Sequence, residues 1–424
     1  MEEGTLWEDK KEEFAKDVAA FANSGGGVIV LGVEEELSRA GRVVPVSIGD
    51  VDTRRMKQIL GERLRPYLSG VQFRVIERPE MPGMGHYAIV VPRSPNAPHA
   101  ITSGNGGTSL RYPVRDETIT RWLTESEVAV RYRDRYASRD ELASDLDRVY
   151  REGRSRTRVE SYPALAVAIV PTFSGHRDIG ATSVTRTLGF FNSWRRQFAP
   201  PLSCLGRSNM YPRAGTRRTD LITQNSRQGG KIDPPALELL YKGAGFGTSK
   251  VEVVCEPDLA DEQISGAKQA LAQDRFEIEL LGLVSMLCHH AVDTGASGEG
   301  QIRAQLLINS GRNPTERIYA TEFHEPRTWD GDSSDKYICV LNSDFVRDRT
   351  AVVECTVSLD EATTDYRAVA RAAYSLAADI YGDFAIAEPC ILRPNGTLAV
   401  ERSALCGDLR ASLSTWAETM NLVD

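Results

Sequence analysis

The stretch FAKDVAAFANSGGGVIVLGVEEE, residues 14–36, constrains the fold most, because a helix, a glycine turn, a strand and an acidic exit follow each other within it. Its apolar residues recur at helical spacing up to Ala22. The run Asn23–Gly27 predicts the helix end, since glycine accepts the positive φ of a helix cap. The apolar run Val28–Leu31, in which three of the four residues are β-branched, predicts a strand buried on both faces. Glu34 then lies at the strand exit, where a rigid frame holds a carboxylate that faces solvent.

The chain of 424 residues is long enough for two domains and a substantial core. No window approaches 18 uninterrupted apolar residues, and the N-terminus is acidic where a signal peptide would be basic and then apolar. Seven cysteines without a CxxC pair indicate reduced thiols, and neither a disulfide framework nor a zinc cluster. We therefore expect a cytoplasmic location and no membrane association.

The net charge of −8 is unevenly distributed along the chain. Residues 148–230 contain 14 arginines, no lysine and only four acidic residues. Arginine forms bidentate contacts with phosphate, so this segment is a candidate surface for RNA or DNA. An ordinary solvated face rich in arginine explains the composition equally well, and the sequence leaves both readings open.

Periodicity predicts an α/β protein of the α+β kind. We expect a mixed-sheet domain over residues 1–135, a helical linker over 136–158 and a second α+β domain over 159–424. Thr124 and Glu127 form a capping box that opens the helix before the linker. The run LAVAIV, residues 165–170, opens the second domain as a strand, and the polar stretch 206–230 is predicted to be a long loop that becomes ordered on binding.

Three ordered blocks carry a family resemblance. The first runs from Asp17 through AFANSGGG to Val33-Glu34-Glu35, the second is Val91-Pro92-Arg93-Ser94 with Pro98-His99, and the third is Tyr112-Pro113-Val114-Arg115 with the segment from Leu123 to Val128. These blocks resemble the Schlafen-type AlbA domain over about the first 130 residues. The remainder, after about Arg158, resembles no family that we can name.

The resemblance implies a nucleic-acid-binding module and, as in some members, a metal-dependent endoribonuclease acting on structured RNA such as transfer RNA. Active members place two carboxylates and a lysine before the helix and a third carboxylate at the strand exit. In this chain the matching residues are Glu3, Glu8, Lys10 and Glu34, and the three glutamates would hold Mg²⁺ or Mn²⁺ as hard oxygen ligands. A shifted alignment would use Asp9 and Lys11 in place of Glu8 and Lys10.

Several basic residues are candidates for nucleic-acid binding. Arg115 follows a predicted strand and suits a phosphate contact. His99 matches a family position at which it would contact the ligand or act as an acid, and a histidine that packs within its own loop is the other reading. Within the arginine-rich segment the candidates are Arg195, Arg196, Arg217 and Arg218. The first hypothesis is therefore an RNA-directed protein, with a role in phage defence or stress response that the resemblance alone suggests.

Two alternatives stay open. One is a DNA- or RNA-binding regulator without catalysis, and the other is a nucleotide-binding sensor that uses the Gly25–Gly27 turn. Because family members with two AlbA copies pair them into one groove, a single copy implies a homodimer.

Overall fold

The computed structural model describes most of the backbone in two compact units, residues 1–141 and 142–424. The described residues are 2–36, 39–48, 53–68, 70–103, 109–117, 119–159, 163–178, 180–224, 227–228, 231–251, 253–255, 269–308, 318–324, 338–341, 350–403, 405 and 407–423. Within these ranges the side chains of residues 2–9, 35–36, 39–40, 103, 181, 227–228, 253–255, 269–270, 318–324 and 338–341 lie outside the description. The architecture is mixed helix and sheet, as the sequence predicted.

Helix α1, Glu2–Ala22, opens the N-terminal unit and ends where the sequence predicted. It includes the charged segment before Phe14. Ala15, Val18 and Ala19 are fully buried on one face of the helix, where the two small alanine side chains allow close packing. A turn follows at residues 23–26 and leads directly into the first strand.

That strand, β1 (Gly27–Leu31), pairs antiparallel with β7 (Met84–Val91). On its other edge β7 pairs with β6 (Gln72–Glu77). The first two residues of β7, which β1 does not reach, pair with β4 (Val46–Ser47). The prediction that β1 is buried on both faces was wrong. Val28 and Val30 are about half exposed because α1 packs on the other face.

The remaining elements of the N-terminal unit form short antiparallel pairings around this core. Strands β2 and β3 pair with each other, β8 pairs with both β5 and β9, and β10 pairs with β11. Their bounds, with the second helix, are β2 Val33–Glu36, β3 Arg39–Val43, α2 Thr53–Arg63, β5 Leu64–Arg65, β8 Ala100–Ser103, β9 Ser109–Arg111, β10 Pro113–Asp116 and β11 Ile119–Trp122.

Helix α3, Glu125–Arg156, contains the boundary between the two units. Its start confirms the predicted capping box: the Thr124 backbone N–H donates to the Glu127 carboxylate at 2.9 Å, and the Glu127 N–H points back to the Thr124 hydroxyl at 3.4 Å. Arg121 and the two bonds from Thr124 hold the pKa of Glu127 at about 2. The cap therefore fixes where α3 begins.

The C-terminal unit is built on a seven-stranded antiparallel sheet in the order β13-β14-β17-β18-β12-β21-β24. Strand β12 (Ala164–Phe173), which contains the strand that the run LAVAIV predicted, lies between β18 and β21 and is buried over residues 164–171. The other strands of this sheet are β13 Tyr211–Gly215, β14 Arg218–Ile222, β17 Ala236–Leu240, β18 Gly245–Lys250, β21 Ser297–Leu307 and β24 Val353–Ser358. In the described part of the sheet, β13 and β24 are the edges.

Smaller pairings complete the strands of this unit. These are the hairpin β15 Arg227–Gln228 with β16 Lys231–Ile232, and a sheet of β19 Val253–Cys255, β20 Gln269–Leu271, β22 Ile318–His324 and β23 Ile338–Leu341. The helices are α4 Ala181–Gln197, α5 Cys204–Arg207, α6 Gln273–Asp293, α7 Leu359–Ala362, α8 Tyr366–Gly382 and α9 Gly407–Thr419, with a 3-10 turn at Val400–Arg402. None of the helices in the described ranges has both the length and the apolar composition needed to cross a bilayer.

A buried carboxylate ties α6 to a later segment of the chain. Glu277 is fully buried and accepts backbone N–H groups from Cys390, Ile391 and Leu392 at 2.7–2.8 Å, together with the Tyr381 hydroxyl at 3.1 Å. Burial outweighs these bonds and raises the pKa of Glu277 to about 7. The segment around residues 390–392 is irregular, so its backbone N–H groups have no neighbouring strand to accept them. The Glu277 carboxylate takes the place of those strand carbonyls.

The predicted binding loop at residues 206–230 is wrong in its described part. Residues 211–222 form the hairpin β13–β14, which belongs to the main sheet. Thr219 and Leu221 are fully buried, as alternate residues of a strand with one inward face. The polar residues around them obscured this alternation in the sequence, so the strand was not predicted.

The turn after α1 yields a stability prediction. Gly26 has φ +79°, and a Cβ there would lie 2.8 Å from the Arg93 nitrogen and the Val91 oxygen, which are backbone atoms that cannot yield easily. We expect Gly26→Ala to destabilise the N-terminal unit by about 1–3 kcal/mol, measured by chemical denaturation. Gly25→Ala is the matched control, since a Cβ at Gly25 meets nothing within 4 Å. Equal losses in the two variants would contradict the explanation.

Candidate nucleic-acid interface

The side-chain amide of Asn23 holds the end of α1 against two later segments. Its nitrogen donates to the His99 carbonyl at 2.9 Å and to the Pro113 carbonyl at 2.8 Å, while its oxygen accepts the His99 N–H at 2.6 Å. Asn23 is only 2% exposed, so these bonds are formed out of water, where losing one would leave a buried polar group without a partner. The end of α1, the loop at residues 94–99 and β10 are thereby fixed together.

Ser24 makes the second connection at this point. Its hydroxyl accepts the Arg115 backbone N–H at 3.0 Å and donates to the Arg115 carbonyl at 3.1 Å. The Ser94 N–H also donates to the carbonyl of Ala22 at 3.1 Å. The three sequence blocks that carried the family resemblance therefore meet at the turn after α1, although up to 91 residues separate them along the chain.

His99 is completely buried at this junction. Its Nδ1 lies 2.9 Å from the Pro66 carbonyl and so carries the proton, while its Nε2 accepts the Ser94 hydroxyl at 2.6 Å. Burial, and to a smaller extent the charge of Arg135, lowers the pKa of His99. Both ring nitrogens are occupied, so His99 connects segments of the interior, which agrees with the loop-packing reading of this residue and not with a ligand contact.

Arg115 lies at the surface beside this junction. Its guanidinium donates to the Thr120 hydroxyl at 3.1 Å and to the Glu117 carbonyl at 3.2 Å, and it lies 5.4 Å from the centre of the Phe21 ring. These contacts orient the side chain without neutralising it. Burial raises the pKa of Asp17 and the nearby Arg115 charge opposes that rise, but among the described residues no carboxylate lies within ion-pair distance of Arg115. Its guanidinium therefore keeps donors for a phosphate.

A row of three arginines on α3 follows the same junction. Arg131, Arg135 and Arg139 are spaced four residues apart and so share one helix face, which we call the arginine face. Arg131 donates to the Asn23 carbonyl at 3.2 Å, Arg139 donates to the Asn96 side chain at 2.7 Å, and Arg135 acts on the pKa of His99. The arginine face therefore runs along the turn after α1 and the loop at residues 94–99.

The charge of the arginine face is not balanced locally. Within the described ranges none of its three guanidinium groups forms an ion pair, whereas Arg133 on another side of α3 faces Asp134 at 3.9 Å. Aromatic rings accompany the cations. The exposed Tyr136 lies three residues before Arg139 on the helix, and the Arg135 guanidinium lies 6.0 Å from the centre of the Tyr132 ring. Unpaired guanidinium groups beside an exposed ring suit a nucleic-acid strand, in which phosphates and bases alternate.

The proposed catalytic residues are only partly described. Glu34 is exposed at the start of β2, and Arg42 donates to its Oε1 at 3.1 Å. Lys10 is exposed on α1. Glu3 and Glu8 also belong to α1, but their side chains lie outside the described residues, as does that of Asp9. The described part of the chain contains no group of three metal-ligating side chains.

The four arginines named in the second unit lie in different settings. Arg195 is engaged with the Ser208 carbonyl at 3.0 Å and Asn209 at 3.2 Å, and Arg196 next to it is exposed. Arg217 is exposed in the turn between β13 and β14, while Arg218 forms an ion pair with Asp220 at 2.6 Å. The sequence singled out these residues by local composition and overlooked the arginine face, whose four-residue spacing on a predicted helix was the available signal.

The buried imidazole yields a pH prediction. Because the pKa of His99 is lowered from 6.5 in the folded state, the unfolded chain takes up a proton first as the pH falls. The contribution of His99 to stability is therefore complete above about pH 6.5 and declines below it. When the pH is lowered from 7 to 5.5, the free energy of unfolding should fall less in His99→Asn than in the unsubstituted protein, which chemical denaturation at the two pH values measures. Identical pH dependence in both would refute this role of the imidazole.

One comparison with known proteins identifies the first unit. Residues 3–121 match the family model described as Schlafen, AlbA_2. No curated protein and no solved structure matches the chain. The matched segment begins near the start of α1, ends in β11 and contains the junction at Asn23. The N-terminal part of this chain is thus a Schlafen-type AlbA domain.

Proposed function

We propose that the AlbA domain binds structured RNA at the arginine face of α3, with Arg115 at the neighbouring end of β10. The domain itself indicates a nucleic-acid-related function. The observation that carries the proposal is the row Arg131, Arg135 and Arg139, whose charges no described carboxylate balances. A polyanion would supply the missing counter-charge along the whole row.

The positions of these groups favour a pre-organised surface. Arg131 and Arg139 are each tethered by one hydrogen bond to a segment of the Asn23 junction, so their side chains lose less rotamer freedom on binding than free ones would. Arg115 is tethered in the same way by Thr120. Further N–H donors remain on each guanidinium for phosphate oxygens, because arginine carries five.

Structured RNA is the substrate class that the family resemblance suggests, and DNA is the alternative. The arginine face by itself would contact phosphates, which RNA and DNA share, so it does not distinguish the two polymers. A regulator that binds without cleavage would use the same surface. Competition between transfer RNA and duplex DNA for one labelled probe separates RNA binding from DNA binding, and a cleavage assay with metal present separates the regulator from the nuclease.

Cleavage is the finer proposal, with Glu3, Glu8, Lys10 and Glu34 as the catalytic set. The exposed carboxylate of Glu34 suits a metal ligand. Arg42 binds one of its two oxygens, and the other oxygen would bind the metal. Bound Mg²⁺ or Mn²⁺ would polarise the scissile phosphate and activate water. Lys10, exposed on the same unit, would offset negative charge that develops on the phosphate.

Two further proposals rest on the family resemblance alone. The single AlbA domain would act as a homodimer, which light scattering on the purified protein measures directly. A role in phage defence or stress response would appear as altered survival of a host that carries the gene during infection.

The binding proposal predicts the effect of removing the arginine face. The combined substitutions Arg131→Gln, Arg135→Gln and Arg139→Gln should lower affinity for transfer RNA by about tenfold or more, because each arginine that no longer neutralises a phosphate leaves one counterion unreleased. The slope of log affinity against log salt, measured between about 50 and 200 mM, should become shallower by about 2.

Arg133→Gln is the matched control, because it removes one exposed cation from a different face of the same helix. It should leave both affinity and salt slope close to those of the original protein. Circular dichroism establishes that the triple variant is folded. Unchanged RNA affinity in a folded triple variant would exclude the arginine face as the binding surface.

Cleavage predicts a separate result. Glu34→Ala should abolish Mn²⁺-dependent cleavage of transfer RNA while affinity changes little, because Glu34 would act on the reacting phosphate and not on the flanking ones. Glu80→Ala, an exposed glutamate paired with Arg78 in the β6–β7 turn, is the control. If no RNA is cut with metal present, or if Glu34→Ala cuts as fast, the nuclease proposal fails and RNA binding stands independently.

A further inference from the structure

The C-terminal unit contains a concave site that the proposed function does not use. It has a volume of about 630 Å³, within the range of small-molecule sites. Four segments of this unit form its wall: the end of α3, the stretch after β12, the β13–β14 turn, and the end of β17 with the turn that follows. We call it the basic pocket, because its lining side chains include six arginine or lysine cations and three carboxylates.

The rim of the basic pocket is fixed by backbone hydrogen bonds between these segments. The Tyr241 N–H donates to the Arg217 carbonyl at 3.1 Å, and the Gly175 N–H donates to the Lys242 carbonyl at 2.9 Å. Arg217 itself has φ +54°, a conformation that the turn imposes. Three loops that are far apart in sequence are thereby held around one opening, so the pocket is already formed without a ligand.

The positive charges of the pocket differ in how they are balanced. Arg156 is bound by both oxygens of Glu238, which also lies 3.6 Å from Arg218. Arg217 and Lys242, by contrast, are exposed at the rim and form no ion pair with any described residue. An anion is the complement that these two cations lack.

Deeper in the wall lies a buried cation that is incompletely bonded. Arg177 is 5% exposed, and its terminal nitrogens contact Thr187 at 2.8 Å and Asp293. Its Nε has no hydrogen-bond partner among the described residues. A buried N–H donor without a partner is costly, and a ligand oxygen reaching into the pocket would relieve that cost.

The uncharged part of the wall indicates what accompanies the anion. Val149, Leu240 and the buried Tyr241 contribute apolar and aromatic surface between the charged groups. Inorganic phosphate would leave this surface in contact with water, whereas a flat heterocycle would cover it. A volume of about 630 Å³ also exceeds the needs of a bare anion.

We propose that the basic pocket binds a mononucleotide, with its phosphates at Arg217 and Lys242 and its ring against the apolar wall. The site is separate from the arginine face, and all its lining residues belong to the second compact unit. A phosphate chain carries nearly two negative charges or more near pH 7, which matches the two rim cations that form no ion pair with a described residue, since the other lining cations have carboxylate partners such as Asp293 and Asp220.

Calorimetry on the full chain tests the proposal with ATP, GTP, CTP and UTP, and with adenosine and inorganic phosphate as partial ligands. We expect at least one nucleotide to bind with a micromolar Kd, and neither partial ligand to approach it. Absence of binding by all four nucleotides would overturn the proposal. So would inorganic phosphate binding as tightly as any nucleotide, which would indicate a simple anion site.

Paired substitutions locate the binding. Arg217→Gln with Lys242→Gln should weaken nucleotide binding by about tenfold or more, because neither glutamine can form a charge-assisted hydrogen bond to a phosphate. Arg213→Gln is the matched control, since Arg213 is exposed on the neighbouring β13 but does not line the pocket. Equal affinity in the double variant and the control would refute the site.

Discussion

The hydrogen bonds of the Asn23 side chain are the constraint on which the AlbA domain depends. The amide nitrogen donates to two buried backbone carbonyls, and the amide oxygen accepts one buried backbone N–H. An aspartate or a leucine of similar size would leave at least one buried backbone group unsatisfied, at about 1–3 kcal/mol each. The residue thus specifies which segments meet, and the position of the arginine face follows from that meeting.

Local patterns predicted the parts of the fold that depend on neighbours in sequence. The end of α1 at the glycine turn and the Thr124–Glu127 cap were predictable because a few adjacent residues decide them. The exposure of Val28 and Val30 was not, since it depends on which face of β1 receives α1. The same reason hid the roles of Asn23 and His99, which bond to each other across 76 residues of chain.

Charge counted along the sequence gave a misleading picture of residues 148–230. Much of that local excess is compensated in space by carboxylates from outside the segment. Glu238 engages Arg156, Asp293 engages Arg177, and Asp147 lies beside Arg151. Conversely, the arginine face lies in a stretch with ordinary charge balance and has no such partners in the described ranges. Electrostatic surfaces are therefore properties of the fold, and linear composition identifies them only when partners are also local.

The edge strand β13 has a consequence for the behaviour of the protein in a crowded cell. Pro212 lies in this strand and has no N–H, so one position of the sheet edge cannot donate to an incoming strand. The exposed Arg213 beside it places a charge where an apolar strand would have to dock. These two residues act against edge-to-edge aggregation at β13, the strand with which the described sheet ends on this side.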